Sequence, residues 1–257
     1  MMNKLEIARN WLPRYTGTPI SEFPEYIILT NFKDYVNFFS SICGAPVLGE
    51  GLPMQTCRNS DGVMIINFGI GSANAATIMD LLGAVAPKAC LFLGKCGGLK
   101  AKTKVGDLII PIAAIRGEGV TDDYFDPKVP ALPSFAVQKA LAETLSSYKK
   151  EYWTGTVFTT NRRLWEHDEK FKTYLQEIRA IGIDMESATI FLVGFANEIP
   201  KGALLLVTDQ PMIPEGIKTA ESDRKARELY TEQHLRIGID TLLSIKNKGQ
   251  SVKHLKF

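Results

Sequence analysis

Residues 180–214 read AIGIDMESATIFLVGFANEIPKGALLLVTDQPMIP, and the order of residue types in this stretch predicts the architecture. A short apolar run from Ala180 ends in Asp184-Met185-Glu186 and leads into a segment read as an amphipathic helix. A second apolar run, Ala203–Val207, ends in Thr208-Asp209-Gln210-Pro211. Two such runs separated by about one helix describe a strand–helix–strand unit of an open α/β sheet, where ligands bind outside the carboxyl ends of the strands. On this reading the carboxylates meet at the ends of neighbouring strands, and Glu186 and Asp209 line one active site.

The same alternation continues outward along the chain. Tyr26–Thr30 is predicted as a buried strand and Phe32–Ile42 as a helix. Val63–Phe68 is a strand that stops at Gly69-Ile70-Gly71-Ser72, and Ala73–Val85 follows as a helix. Backbone N–H groups at that helix start can face an anion, which makes Gly71 and Ser72 candidate contacts to phosphate or ribose; the competing reading is that the glycines only permit a tight turn. Ala89–Leu93 is a third strand and runs into Gly94-Lys95-Cys96-Gly97-Gly98, where Lys95 is either a ligand group lying over the sheet edge or a surface turn lysine. Strands are also expected at Asp107–Ile115 and Tyr152–Thr160, and helices from Ser134 to Ser147, from the Asn161–Asp168 segment to near Gln176, and from Ala220 to Lys248. Residues 1–25 carry Pro13, Gly17, Pro19 and Pro24 and are expected to form an irregular arm after a short helix; the basic tail, 249–257, is expected to be flexible. The whole reads as one α/β domain, 1–257, with at least six strands.

Bulk properties exclude several classes. With 30 Lys and Arg against 28 Asp and Glu, the net charge of +2 and the lack of a basic stripe argue against a nucleic-acid partner. Apolar windows fall short of the roughly 20 residues of a membrane span, and the N-terminus lacks an apolar leader. The four cysteines show no C-x-x-C pair and read as reduced thiols, so the expected location is the cytoplasm. Asp122, Asp123 and Asp126 read as turn and capping residues rather than metal ligands, and no metal or cofactor is expected. The dinucleotide fingerprint fails because Asn74 stands where its third glycine belongs. His167 has acidic neighbours, yet no serine or cysteine occupies a nucleophile motif. What remains is glycoside chemistry, in which one carboxylate holds ribose hydroxyls while another protonates the departing group. Burial raises a carboxyl pKa toward the range such an acid needs.

Gly94-Lys-Cys-Gly-Gly98 after an apolar strand, then Val105-Gly-Asp-Leu-Ile-Ile110, Asp184-Met-Glu-Ser-Ala188 and Val207-Thr-Asp-Gln-Pro211 together resemble the nucleoside phosphorylase and nucleosidase superfamily. Within it, Leu12–Pro19, Phe92–Gly98, Arg116–Gly119, Thr159–Asp168 and Ile213–Asp223 look most like the AMP nucleosidase branch. The resemblance implies a three-layer α/β/α fold with a central mixed sheet, assembly as a hexamer, and hydrolysis of AMP to adenine and ribose 5-phosphate. It implies that Asp209 protonates the purine N7 and that Met185 and Glu186 hold the ribose. Cys96, Gly97 and the Thr160–Arg163 segment, with Asn161 and Arg162, fall near the base. Family members can carry a further N-terminal regulatory domain, and this chain begins almost at the catalytic part. Phosphorylases of the superfamily place arginines around inorganic phosphate; Phe92 here removes one bidentate partner and favours water as nucleophile. Lys95, Arg116, Arg162 and Arg14 are then candidates for the substrate's 5′-phosphate, and Glu118 for the water-activating base. Two other readings stay open: a phosphorylase or nucleosidase for unphosphorylated nucleosides, and a nucleotide sensor without catalysis.

Overall fold

A computed structural model describes residues 2–249; the tail expectation for 250–257 lies outside the described residues. The strands are β1 (Tyr26–Thr30), β2 (Gln55–Arg58), β3 (Val63–Asn67), β4 (Ala89–Gly98), β5 (Leu108–Gly117), β6 (Trp153–Thr160), β7 (Gly182–Asp184) and β8 (Lys201–Asp209). The helices are α1 (Lys4–Thr16), α2 (Lys33–Cys43), α3 (Ser72–Leu82), α4 (Phe135–Ser147), α5 (Glu169–Glu177), α6 (Ser187–Ala196) and α7 (Ala220–Asn247). Among the described residues no helix is long and apolar enough to cross a membrane.

The sheet is mixed, with strand order β2-β3-β1-β4-β7-β6-β5-β8 and a further pairing of β4 with β8. That extra pairing closes β4, β8, β5, β6 and β7 into a ring. β4 runs parallel to β1 and β8 but antiparallel to β7. Apolar side chains alternate between two cores. In β1, Ile27 and Leu29 join the cluster of α1, α3 and α6, while Tyr26 and Ile28 join that of α2, α4 and α7. In β8, Ala203, Leu205 and Val207 take the first side, and Leu204 and Leu206 the second. A strand covered by helices on both faces must be apolar at every position, which is why these segments read as unbroken hydrophobic runs. The result is the expected α/β/α arrangement.

Four expectations change. The N-terminal region is not mainly irregular: α1 covers 13 residues because Asn3 and Glu6 cap its start reciprocally, and it ends at Gly17 with φ of 68°. Pro13 falls within its last turn, while Ala8, Leu12 and Thr16 are buried beneath it. The strand expected to stop at Leu93 continues through Gly98, with all ten residues of β4 buried. Glycine is required within it, since a Cβ at Gly94 would come within 2.5 Å of the Phe92 ring. Helix α6 is not amphipathic; Ser187–Gly194 are all buried between the sheet and α3. The Asn161–Asp168 segment precedes its helix instead of starting it, because Asp168 caps α5 by accepting from Phe171 N–H.

Candidate active site

Gly97 is the residue at which the two carboxylate-bearing strands converge. Its register partner in β8 is Asp209, and its partner in β7 is Ile183. The sequence reading made β7 and β8 neighbours; β4 in fact separates them. Because β7 runs against β4, the Asp184-Met185-Glu186 segment heads back along β4 toward Lys95, while β8 ends level with Gly97. The carboxylates therefore approach one cavity from opposite sides of β4. The approach is tight: a Cβ at Gly97 would lie 2.8 Å from Pro211 Cγ and 3.2 Å from Asp209 Oδ2. The cavity, about 220 Å³, is lined by Asp209, Glu186, Met185, Lys95, Cys96 and Gly97 together with Arg162 and several residues that the sequence did not single out.

Glu186 is 2% exposed. Its Oε1 accepts the Gly71 N–H at 2.7 Å. Burial, and then the charge of Asp184, pushes this carboxyl up to about 8. Asp184 accepts from the Thr159 hydroxyl at 2.8 Å, the Ser187 N–H at 2.8 Å and the Ser187 hydroxyl at 2.5 Å, and burial raises it too. The Ser72 hydroxyl donates to the Met185 carbonyl at 2.6 Å. Gly71 and Ser72 were candidates for contact with phosphate or ribose, against a turn that glycine permits for steric reasons alone. Their polar atoms instead hold the 185–186 segment in place, and neither residue lines the cavity.

Asp209 accepts the Thr208 hydroxyl at 2.9 Å and pairs with Lys218 Nζ at 3.1 Å. Lys218 also lies 3.9 Å from Asp223. Lys95 Nζ sits 4.1 Å from the Phe32 ring centroid and 5.9 Å from that of Tyr35. Burial brings its pKa down to about 8. Behind Tyr35, its hydroxyl and His234 Nδ1 are 2.7 Å apart, and His234 Nε2 is 3.0 Å from the Leu204 carbonyl. The carbonyl can only accept, so Nε2 carries the proton and Nδ1 receives the tyrosine hydrogen. Burial lowers His234 to about 3, which keeps the ring neutral beneath Lys95.

The other predicted positions divide. Arg162 lines the cavity while pairing with Asp168 at 3.0 Å, its guanidinium 5.2 Å from the Phe171 ring centroid. Cys96 lines it as a buried thiol whose pKa burial raises. Asn161 does not line it; its amide donates to the Glu118 carbonyl at 3.3 Å. Arg116 is a correction. Its guanidinium donates to the Thr121 hydroxyl, the Asp122 carboxylate and the carbonyls of Phe125, Asp126 and Val129, so it braces the 120–129 loop away from the cavity. Glu118 is another: 3% exposed and outside the cavity lining, it accepts from Gly119 N–H, Thr121 N–H and the hydroxyls of Thr121 and Thr189. Arg14 is exposed on α1 and outside the lining. Phe92 is fully buried in the core against Phe68, ring centroids 5.9 Å apart.

Asn31, Phe32, Lys218 and Asp223 line the cavity without having been assigned to it. Applying the strand-end rule to β1 as well as to β7 and β8 would have found Asn31 and Phe32. Lys218 had no local signal, because its segment reads as an ordinary polar loop.

With this geometry in hand, the likenesses are direct. The sequence model of the phosphorylase superfamily matches residues 25–244. An AMP nucleosidase of Escherichia coli (strain K12) is 30% identical over 95% of this chain, which spans 60% of that relative's length. The crystal structure of AMP nucleosidase from Bacteroides thetaiotaomicron VPI-5482 superposes with a TM-score of 0.87 at 51% identity, covering 96% of this chain and all of that one. A uridine phosphorylase from Vibrio fischeri ES114, 20% identical over 88% of this chain and 94% of its own, shares the fold with a TM-score of 0.78. By the span of that match, and by a site assembled at the ends of β1, β4, β7 and β8, the chain belongs to the phosphorylase superfamily.

Proposed function

We propose that this chain hydrolyses the N-glycosidic bond of AMP, releasing adenine and ribose 5-phosphate. The observation that carries the reading is the convergence of Asp209 and Glu186 on one cavity that also holds Lys95 and Arg162. The AMP nucleosidases among its relatives support the choice of substrate. Asp209 supplies the proton to the purine N7, with Lys218 at its side. Glu186, held by the Gly71 N–H, binds ribose hydroxyls as positive charge builds at C1′, and Met185 packs on the sugar. Of the four basic groups considered for the 5′-phosphate, Lys95 and Arg162 remain. A buried ammonium lowered to about 8 by burial gains an anionic partner when the phosphate enters, which offsets the cost of holding its charge there.

The chain acts as one catalytic domain, in a homo-oligomer for which a hexamer is the expectation. Exposed apolar side chains on α1, Leu5, Ile7 and Trp11, support burial against another copy. Free cysteines at 43, 57, 90 and 96 fit a reducing, cytoplasmic setting. Purified protein given AMP, and separately adenosine, tests the substrate. Adenine release from AMP at a much higher kcat/KM is expected; release from adenosine but not AMP would overturn the reading.

A further inference from the structure

We propose that Asn31 is a positioning residue that selects water as the nucleophile, its side-chain carbonyl oxygen accepting a hydrogen bond from the attacking water and turning away inorganic phosphate. The inference rests on the AMP-hydrolysis reading of the same site. Asn31 follows β1 directly, is 8% exposed and lines the cavity. Its side chain lies beside Glu186, whose Oε1 is already taken by the Gly71 N–H. Oδ1 is buried without a hydrogen-bond partner among the described residues. Such orphans are rare in folded proteins and call for a reason. The other two, Arg227 Nε and Thr231 Oγ1, belong to α7, and the first is offset by Asp223 at 3.5 Å.

Strand order supplies the direction. β1 and β8 flank β4 on opposite sides, so Asn31 and Asp209 lie at opposite ends of the cavity. A purine protonated at Asp209 leaves toward β8, and the nucleophile reaches C1′ from the β1 side. There a lone acceptor oxygen suits water, which has two O–H donors, and repels phosphate, whose oxygens are almost all acceptors. Lys95 is the nearby cation on that wall, and its Nζ lies against the Phe32 ring. The step balances. The C1′–N9 bond breaks with its electron pair going to the purine, and Asp209 gives a proton to N7. The water oxygen bonds C1′ and the proton that water loses passes to solvent, from which Asp209 is reprotonated once adenine has left.

The test compares wild type, Asn31→Ala and Asn31→Asp with AMP, first without and then with inorganic phosphate, separating ribose 5-phosphate from ribose 1,5-bisphosphate. Wild type should form only the monophosphate. For Asn31→Ala, hydrolytic kcat should fall at least about tenfold while KM for AMP moves by less than about threefold, as expected for a group acting on the nucleophile rather than on substrate binding. The bisphosphate should appear and grow with phosphate concentration. Asn31→Asp keeps an acceptor and should keep the bisphosphate absent. If the alanine variant does not fold, Asn31→Leu carries the same expectation. Hydrolysis by the alanine variant within about twofold of wild type, or phosphate use by Asn31→Asp equal to that of the alanine variant, overturns the inference while AMP hydrolysis stands. Wild type that acts only with phosphate overturns both.

Discussion

Replacing Glu186 with glutamine should make the protein increasingly more stable than wild type as the pH rises, even as it becomes a poorer enzyme. In the unfolded chain this carboxyl ionises around 4.5; in the folded protein burial, then the Asp184 charge, holds its proton up to about 8. The folded state is thus favoured by this group below pH 4.5, and that contribution is lost as the pH climbs toward 8. The slope is roughly 1.4 kcal/mol per pH unit, so between about pH 5 and pH 7.5 this one residue withdraws on the order of 3 kcal/mol. With 2% of the residue exposed, solvent screens little of it. A glutamine retains an oxygen for the Gly71 N–H and carries no ionisation. Asp184 is raised by burial too and titrates together with Glu186, so the difference reports this carboxyl pair; two other nearby groups do not enter it. Lys95, lowered to about 8, contributes no slope below that pH. His234, lowered to about 3 from 6.5, makes stability rise with pH up to about 6.5 in both proteins and cancels in the difference. Urea unfolding at a series of pH values measures that difference. The glutamine variant should gain on wild type by about 1 kcal/mol per pH unit across the window. Parallel stability curves from pH 5 to 7.5 would refute the assignment of a buried, proton-holding Glu186.

Asp209→Asn should cut turnover of AMP by about 100-fold or more with binding largely kept, the scale usual for loss of a general acid; a near-normal rate removes Asp209 from the mechanism. Arg116→Leu should leave the Phe125 and Val129 carbonyls unpaired, that of Asp126 keeping the Val129 N–H, and destabilise the fold by about 2–4 kcal/mol, with KM for AMP unchanged in the folded protein. A raised KM without loss of stability would restore Arg116 to the phosphate site. Gly97→Ala forces a Cβ to 2.8 Å from Pro211 and 3.2 Å from Asp209, and should lower kcat at least about tenfold while the melting temperature moves only modestly. Normal kinetics would mean that the β4–β8 junction tolerates displacement.

The layered fold was legible because strands buried on both faces leave unbroken apolar runs, as in Ala203–Val207 and Ala89–Leu93. Asp209 and Glu186 were legible by the same route, each a carboxylate just beyond such a run. What local patterns could not carry was tertiary. That β4 inserts between β7 and β8 depends on the ring closure and on Gly94 and Gly97 allowing close packing, not on any run of residues. Arg116 and Glu118 looked like site residues because they fall in Arg116–Gly119, one of the stretches that carry the family resemblance. Their partners, Thr121, Asp122 and the 125–129 carbonyls for the one, Thr121 and Thr189 for the other, become visible only once the chain has turned back on itself. Lys218 reaches Asp209 from a polar loop nine positions further on in the chain, and α1 was masked by a proline whose helix is secured by a cap at Asn3.

The central claim, hydrolysis of AMP, is tested most directly by the fate of the ribose in water enriched in heavy oxygen. The site described here predicts adenine and ribose 5-phosphate in equal amounts, one heavy oxygen at C1 of the sugar in a rapidly quenched reaction, and the same rate with or without inorganic phosphate. Adenine release that requires phosphate and yields ribose 1,5-bisphosphate without the label would contradict it.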